Sequence, residues 1–506
     1  MLKLYFLLFI SFVLILSFKS NDGFPTSINH GNFFPYIIDK PFTEDGFYMM
    51  TVAWNIAEGN GIKYNLNRPT TGIQPLVTFI QAGVAKLVLI FGGGKIDFLR
   101  VMIIFSALLL FLFSLVTSSI IQKLIPSLYS QIIIILFVLF SFDLFEYFTN
   151  GLETGFYLLM IAVCINYSFQ FLKNPNYKSA FIFGSLAGIT ALTRVDFLLP
   201  LFVYLLCLFI SGRIKLSIFI LILTIAVLFL LPWLIYVYSV SGSIYPSSVS
   251  NQTNIVDSLT FGERLSYIRV SFLQHLTPFL YTNNLYISTA VTVLNGIIFY
   301  YLIKRFKFFD TFDKPLFKNL LVWGFSFFLL GLTYFVYSNA PYFYIRYLTP
   351  FYLFIFLIAV CCLLFLLNKI PGLYKKLILT SFVLFFFVQS YYYQFNGNLA
   401  NHLTLRISFI KNNFDDSERI ALFQSGVTGF FLDNVLNLDG KVDHIVRQYA
   451  LNKNFEGFLD SMKVNVIIEW KNDFNVTVDE KYFSEHWKMI EEDIGDGTTA
   501  CFVRIK

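Results

Sequence analysis

Pro41-Phe42-Thr43-Glu44-Asp45-Gly46-Phe47-Tyr48 places two adjacent carboxylates just beyond the first hydrophobic segment, and the stretch runs on through Ala57-Glu58-Gly59-Asn60-Gly61 to Thr70-Thr71-Gly72-Ile73-Gln74-Pro75. The chain around it is 57% hydrophobic and 13% charged over 506 residues, whereas roughly a quarter of the residues of a soluble globular domain are charged. This is the composition of a polytopic membrane protein, and neighbouring charges inside one need a reason. Thr43 is suited to cap a helix starting at Glu44, and Phe47, Met50, Trp54 and Ala57 then share one face at spacings of three and four. Gly59 and Gly61 end it. The stretch therefore reads as an amphipathic helix lying on the membrane, with its carboxylates at the amino-terminal end, where the helix dipole favours ionised Asp45.

Outward from that stretch, apolar segments of spanning length lie near 2–18, 99–122, 129–147, 154–172, 179–193, 197–212, 216–239, 286–303, 318–338, 347–368 and 376–394. Residues 74–92 form a further apolar run, but they carry Gln81 and Lys86 and read as an interfacial helix. That choice puts the most basic connections on one face: 173–178, 213–215, the cluster from Lys304 to Lys318 that includes Lys307, and 369–376. By the positive-inside rule this face is cytoplasmic. Residues 2–18 read as a retained signal-anchor, because no convincing small-x-small cleavage site follows them. The count is about eleven spans. Glu44-Asp45, Asn150-Gly151-Leu152-Glu153, Thr193-Arg194-Val195-Asp196, the loop 240–285 and residues 339–346 then all face the non-cytoplasmic side.

From about residue 395 the composition turns polar and mixed. Residues 420–423, 464–468 and 501–505 read as buried strands, and 402–413 and 443–462 as helices. The division is a transmembrane domain over 1–394, with a first outer loop of about 19–98, and a soluble extracytoplasmic α/β domain over 395–506. Four of the five cysteines lie in apolar segments, which excludes a disulfide framework in the tail and a clustered cysteine metal site. No Lys/Arg run of nucleic-acid-binding type occurs, so the partners are membrane lipids and not nucleic acid. Gly92-Gly93-Gly94-Lys95 lacks the rest of a phosphate-cradling loop and reads as a connector.

A carboxylate at a bilayer surface can take the proton of a hydroxyl as that hydroxyl attacks a carbon, inverting it. Where the leaving group is a phosphate, arginine or a divalent cation stabilises the departing charge. The order Glu44-Asp45-Gly46-Phe47-Tyr48, Asn55-Ile56-Ala57-Glu58-Gly59-Asn60-Gly61, Thr71-Gly72-Ile73-Gln74-Pro75-Leu76 resembles the first outer loop of the GT-C glycosyltransferase superfamily, which uses polyprenyl-phosphate sugars. Within it the likeness is to bacterial mannosyltransferase-like and arabinofuranosyltransferase-like membrane proteins. Asn150-Gly151-Leu152-Glu153-Thr154 resembles their second acidic motif, Ala191-Leu192-Thr193-Arg194-Val195-Asp196 a later one, and Arg346-Tyr347-Leu348-Thr349-Pro350 the one near the last spans. Residues 426–440, ending Asn437-Leu438-Asp439-Gly440, resemble the start of their soluble tail.

The resemblance implies a GT-C fold and an inverting glycosyltransferase. It would move a sugar from a polyprenyl-phosphate carrier to a glycan, lipid or protein acceptor, on the outer face of a bacterial inner or cell membrane. Asp45 is then the base. Glu44 and Glu153 hold a divalent metal or orient the donor, and Arg194 and Arg346 meet the donor phosphate; His275, in the loop 240–285 and outside the matching motifs, is a further candidate for that contact. Many relatives have Asp-Asp where this chain has Glu44-Asp45, which leaves Glu44 open between ligand and supporting group.

Each residue also has a plainer reading. Asp45 is then a helix-terminal charge, Glu153 a cap on the span after it, and Arg194 a snorkelling loop arginine. Arg346 is then packed against Tyr342-Phe343-Tyr344, and His275 is solvated. For the whole chain the alternative is a non-catalytic transporter or flippase of lipid-linked sugars, whose polar residues belong within the spans. Tyr245-Pro246-Ser247-Ser248 and Asn251-Gln252-Thr253 follow a span that ends in aromatics, as donor or acceptor loops do in the superfamily. Asn251 and Asn475 match the short glycosylation pattern, which arises often by chance.

Overall fold

The computed structural model describes residues 2–18, 24–26, 36–64, 68–125, 130–246, 260–276, 285–306, 312–338, 344–395, 401–452, 454–470 and 480–505. Lys307, Tyr342-Phe343, Ser247-Ser248, Asn251-Gln252-Thr253 and Asn475 of the sequence reading lie outside them.

The membrane body comprises α1 (Leu2–Ser17), α2 (Glu44–Glu58), α3 (Pro75–Ile90), α4 (Lys95–Leu124), α5 (Ser130–Leu139), α6 (Phe142–Thr149), α7 (Thr154–Phe171), α8 (Tyr177–Thr193), α9 (Leu198–Ile210), α10 (Leu216–Ser241), α11 (Phe261–His275), α12 (Leu285–Phe306), α13 (Lys314–Tyr337), α14 (Tyr344–Asn368) and α15 (Gly372–Phe395). The tail follows as α16 (Asn401–Asn413), β1 (Ile420–Leu422), α17 (Gly426–Phe431), β2 (Val435–Asn437), α18 (His444–Leu451), α19 (Phe455–Ser461), β3 (Val466–Trp470), α20 (Glu480–His486), β4 (Trp487–Glu491) and β5 (Thr499–Arg504).

The chain is an integral, multi-pass membrane protein. Among the described residues, α4, α7, α10, α13, α14 and α15 are long and apolar enough to cross a bilayer, and α5 with α6 makes a seventh candidate, bent by 61° at the break between them. The count of about eleven also took in α1, α8, α9 and α12. Of these, α8 has 17 residues, and the other three carry only the shorter apolar runs Lys3–Ser17, Val195–Ile210 and Tyr286–Tyr301. The 16 residues of α3 reach about 24 Å, less than a hydrocarbon core of about 30 Å. Its polar groups turn inward, one to the first loop and one to the turn between α6 and α7: Lys86 Nζ donates to the Ala57 carbonyl at 3.1 Å, and Gln81 Nε2 to the Gly151 carbonyl at 2.9 Å.

The reading of α2 as a surface helix is corrected. Its boundaries follow the expected signals, with Thr43 accepting from Gly46 N–H at 3.3 Å and Gly59 in the left-handed region at φ 92°. Its whole run from Gly46 to Trp54 is nevertheless buried. Phe47, Met50 and Trp54 pack into the core of the body, while Tyr48 and Val52 join Tyr64, Trp233 and Val442 in a separate cluster. One helix thus buries two faces, because the tail covers the side that a membrane-surface helix would leave wet.

The tail carries a five-stranded sheet in the order β2-β1-β3-β5-β4. The first three strands are parallel, with Ile420 opposite both Val435 and Val466, and β5 runs antiparallel between β3 and β4. The sequence anticipated β1, β3 and β5 and not β2 or β4. The expected helix over 443–462 is two helices, α18 and α19, the second started by Asn454, whose side chain accepts from Gly457 N–H.

Candidate active site

Polar residues meet where helices end. Asp45 lies in the first turn of α2, Glu153 immediately before α7, Arg194 immediately after α8, and Arg346 in the first turn of α14. Since α7 leaves this end and α8 returns to it, the basic connection 173–178 sits a helix length away, about 25 Å.

Local backbone packing fixes the first carboxylates. Thr43 donates from both N–H and Oγ1 to the Asn150 carbonyl, at 3.0 and 3.1 Å. A Cβ at Gly46 would fall 2.3 Å from that same oxygen, so the amino-terminal turn of α2 sits directly on the Asn150-Gly151 backbone. On the other side of α2, a Cβ at Gly426 would fall 2.2 Å from the Glu44 carbonyl. The two motifs and the tail are thus joined through backbone contacts that only glycine permits.

From this scaffold an alternating chain of charge runs through the site. Lys441 Nζ lies 3.3 Å from Asp439 Oδ2 and 3.4 Å from Asp45 Oδ1. Arg346 Nη1 lies 3.5 Å from Asp45 Oδ2, and its Nη2 donates to both oxygens of Glu153 at 2.8 Å. Arg194 Nη1 reaches Glu153 Oε1 at 3.4 Å, and its Nη2 grips Asp196 Oδ2 at 2.7 Å. Tyr334 donates a hydrogen bond to Asp196 and stacks on Tyr347 at 4.1 Å, and Arg194 lies over the Tyr157 and Tyr347 rings. Glu153 is fully buried, while the side chains of Asp45, Arg346 and Lys441 remain 23%, 24% and 27% exposed. The open part of the network is therefore Asp45 between two cations.

Burial pushes the Asp45 carboxyl up, but the ammonium of Lys441 and the guanidinium of Arg346 outweigh it and hold the group below the usual carboxylate range. Glu44 differs. Burial raises it, and the N–H groups of Val427 and Gly426, which it accepts in hydrogen bonds, bring it back only to about 7. His275 stands apart from the charge chain: its Nδ1 faces the Ser271 carbonyl at 2.6 Å and its ring meets Tyr352 edge-on at 5.4 Å. Burial lowers it to about 4, which makes it neutral at pH 7. The plainer reading of Glu153 as a helix cap is not seen, since its side chain makes no cap hydrogen bond. Its two oxygens serve arginines instead.

Lys441, Asp439 and Tyr334 were not singled out from the sequence. Asp439 is the penultimate residue of the quoted tail motif, which ends in Gly440, and the one available signal for Lys441 was that it follows that motif directly. The Tyr48 hydroxyl, 3.2 Å from Asp439 Oδ2, also accepts from Ser425 N–H and Asn437 Nδ2 at 3.2 Å, tying the tail turn to α2.

No protein-family model matches the sequence, and no curated protein matches it. Among solved structures, ArnT from Cupriavidus metallidurans in the apo state superposes with a TM-score of 0.58 at 12% identity, over 99% of this chain and 98% of that one. The chain has the GT-C fold. Two oligosaccharyltransferase structures from Archaeoglobus fulgidus resemble it less. AglB in complex with an inhibitory peptide and a dolichol-phosphate has a TM-score of 0.47 at 11% identity, over 92% of this chain and 69% of that one. The enzyme in complex with Zn and sulfate has 0.44 at 9%, over 91% and 68%.

The divalent metal that the GT-C resemblance implied does not fit the donors expected to hold it. Both Glu153 oxygens accept from Arg346, one of them also from Arg194, and both Glu44 oxygens accept backbone N–H groups. A cation entering there would have to displace two guanidinium groups or the start of α17. Among the described residues no group of three or more His, Cys, Asp or Glu is placed to hold a metal. Arg346 and Arg194 take up the Glu153 oxygens that such an ion would need.

Proposed function

We propose that the protein is an inverting glycosyltransferase that moves a sugar from a polyprenyl-phosphate carrier to a glycan, lipid or protein acceptor, on the non-cytoplasmic face of a bacterial cell membrane. The observation that carries this reading is Asp45, a partly exposed, ionised carboxylate at a helix start, bracketed by cations in a chain with the GT-C fold. Asp45 takes the acceptor hydroxyl proton as the hydroxyl oxygen bonds to the anomeric carbon. The bond from that carbon to the phosphate oxygen breaks on the opposite side, and its electron pair leaves with the phosphate. Arg346, oriented by Glu153, meets the charge that develops there, and Arg194 holds Glu153 and Asp196 in place. His275, neutral and buried, has only hydrogen bonding to contribute to the donor.

The transporter alternative draws less support. A carrier needs its polar groups within broken spans, and the charge chain here sits at the termini of α2, α7, α8 and α14. The deciding experiment uses purified protein with a panel of labelled polyprenyl-phosphate sugars, followed for donor turnover. Asp45→Asn is expected to lower turnover at least about 100-fold, the contribution of a general base, while donor binding persists. Full activity in that variant would remove Asp45 from the mechanism.

A further inference from the structure

We propose that Lys441, carried by the tail, is the second arm of a two-cation phosphate clamp whose first arm is Arg346, so that the donor phosphate is bound between the membrane body and the tail. The inference rests on the transferase reading above.

Three observations lead to it. Lys441 and Arg346 stand on opposite oxygens of Asp45, at 3.4 and 3.5 Å. These are loose contacts for ionised partners, which close to about 2.7–2.9 Å when well seated, as Arg346 and Glu153 do at 2.8 Å. The Asp45 carboxylate is thus a replaceable counter-ion, and the Arg346 Nε has no hydrogen-bond partner. Both cations keep about a quarter of their side-chain surface exposed, at 24% and 27%, whereas Glu153 behind them is closed. The lysine is also held in position. Its own N–H donates to Asp439 Oδ1 at 2.8 Å, Gly440 N–H donates to Asn437 Oδ1 at 3.1 Å, and the ammonium lies over the Tyr48 ring. Much of the entropy that a free lysine would lose on binding an anion is lost already in the fold.

Charge conservation gives the clamp its chemical sense. A polyprenyl-phosphate sugar is a phosphodiester with one negative charge, and the departing polyprenyl phosphate carries close to two. During transfer Asp45 gains the acceptor proton and loses its charge, while the phosphate gains the electron pair of the broken bond. One negative charge therefore moves from Asp45 to the phosphate within reach of the same two cations, and the total for the site does not change. Cations that lose one partner as they acquire the other favour the transition state over the resting pair.

The test measures binding of polyprenyl phosphate, with polyprenol as the uncharged control, to full-length protein in nanodiscs. Wild type is expected to prefer the phosphate. Lys441→Met should weaken phosphate binding by about tenfold, the loss of one charge-assisted contact, leave polyprenol binding unchanged, and keep the tail protected from protease. Lys441→Arg should retain the preference. A wild type that binds phosphate and alcohol alike sinks the transferase reading. A wild type that prefers phosphate, with Arg346→Met losing that preference and Lys441→Met keeping it, overturns the clamp alone. If Lys441→Met releases the tail, Lys441→Arg decides: a docked arginine variant without phosphate preference also overturns the clamp.

Discussion

Burial pushes the Glu44 carboxyl up, the N–H groups of Val427 and Gly426 pull it down, and it settles at about 7 against an ordinary 4.5. Next to it, Asp45 is held low by Lys441 and Arg346 once burial is outweighed. Adjacent carboxylates thus differ in titration because one faces amides in a closed contact and the other faces cations in an open one. Linkage fixes the sign for Glu44. Between pH 4.5 and about 7 the docked state binds more protons than a state in which Glu44 is free, so docking of the tail is strongest below 4.5 and weakens as pH rises through about 7. Amide hydrogen exchange at the start of α17, corrected for intrinsic rate, should show this loosening, and Glu44→Gln should abolish it. A flat wild-type profile would contradict the assignment. Both carboxylates were legible in the sequence because charge stands out in an apolar segment. Lys441 was not, because the tail around it is polar and one more lysine there carries no contrast.

Elements of the tail are organised by a buried ion pair. Arg406 on α16 and Glu469 on β3 are both fully buried, with Nη2 and Oε1 3.3 Å apart. Glu469 Oε2 accepts Phe423 N–H at 2.8 Å, and Arg406 Nη1 reaches the Gln424 carbonyl at 3.4 Å. The pair therefore supports the turn from β1 to α17, whose Ser425 carbonyl accepts from the Tyr64 hydroxyl at 2.7 Å. Removing one partner strands a charge in the interior, so Arg406→Met should cost about 3–5 kcal/mol of stability. Denaturant unfolding of the tail is the measurement, and adding Glu469→Gln should restore part of the loss. None of this support shows in the sequence, where Arg406 and Glu469 are 63 residues apart. The strands with hydrophobic runs, β1, β3 and β5, were readable. Three-residue β2 is too short to show a period, and β4 is buried only at Trp487 and exposed beyond it, so neither declares itself.

For the whole molecule, the long apolar segments announce the membrane body, but the closeness of first loop and tail joins residues nearly four hundred positions apart, as Glu44 with Val427 and Tyr48 with Phe423. No local pattern encodes a contact of that range; the order of the motifs along the chain, and the common side of the membrane that the charge count gave them, pointed to a shared site. We propose the orientation of that site from charge. Helices α7 and α8 place 173–178 at the end away from Glu153 and Arg194, and α14 carries the chain from Arg346 to the basic connection 369–376 in the same sense. The acidic site and the basic connections thus occupy opposite ends of the body, and the positive-inside rule assigns the basic end to the cytoplasm. Cysteine labelling tests the assignment, because Cys164, Cys361 and Cys501 are buried and only Cys207 and Cys362 need replacement. On that background, Asn412→Cys, exposed at the carboxy-terminal end of α16, should react with a membrane-impermeant maleimide in intact cells. Asn174→Cys, exposed between α7 and α8, should react only after permeabilisation. The reverse pattern would put Asp45 on the cytoplasmic face, where an outward-facing transfer to an extracytoplasmic acceptor is impossible.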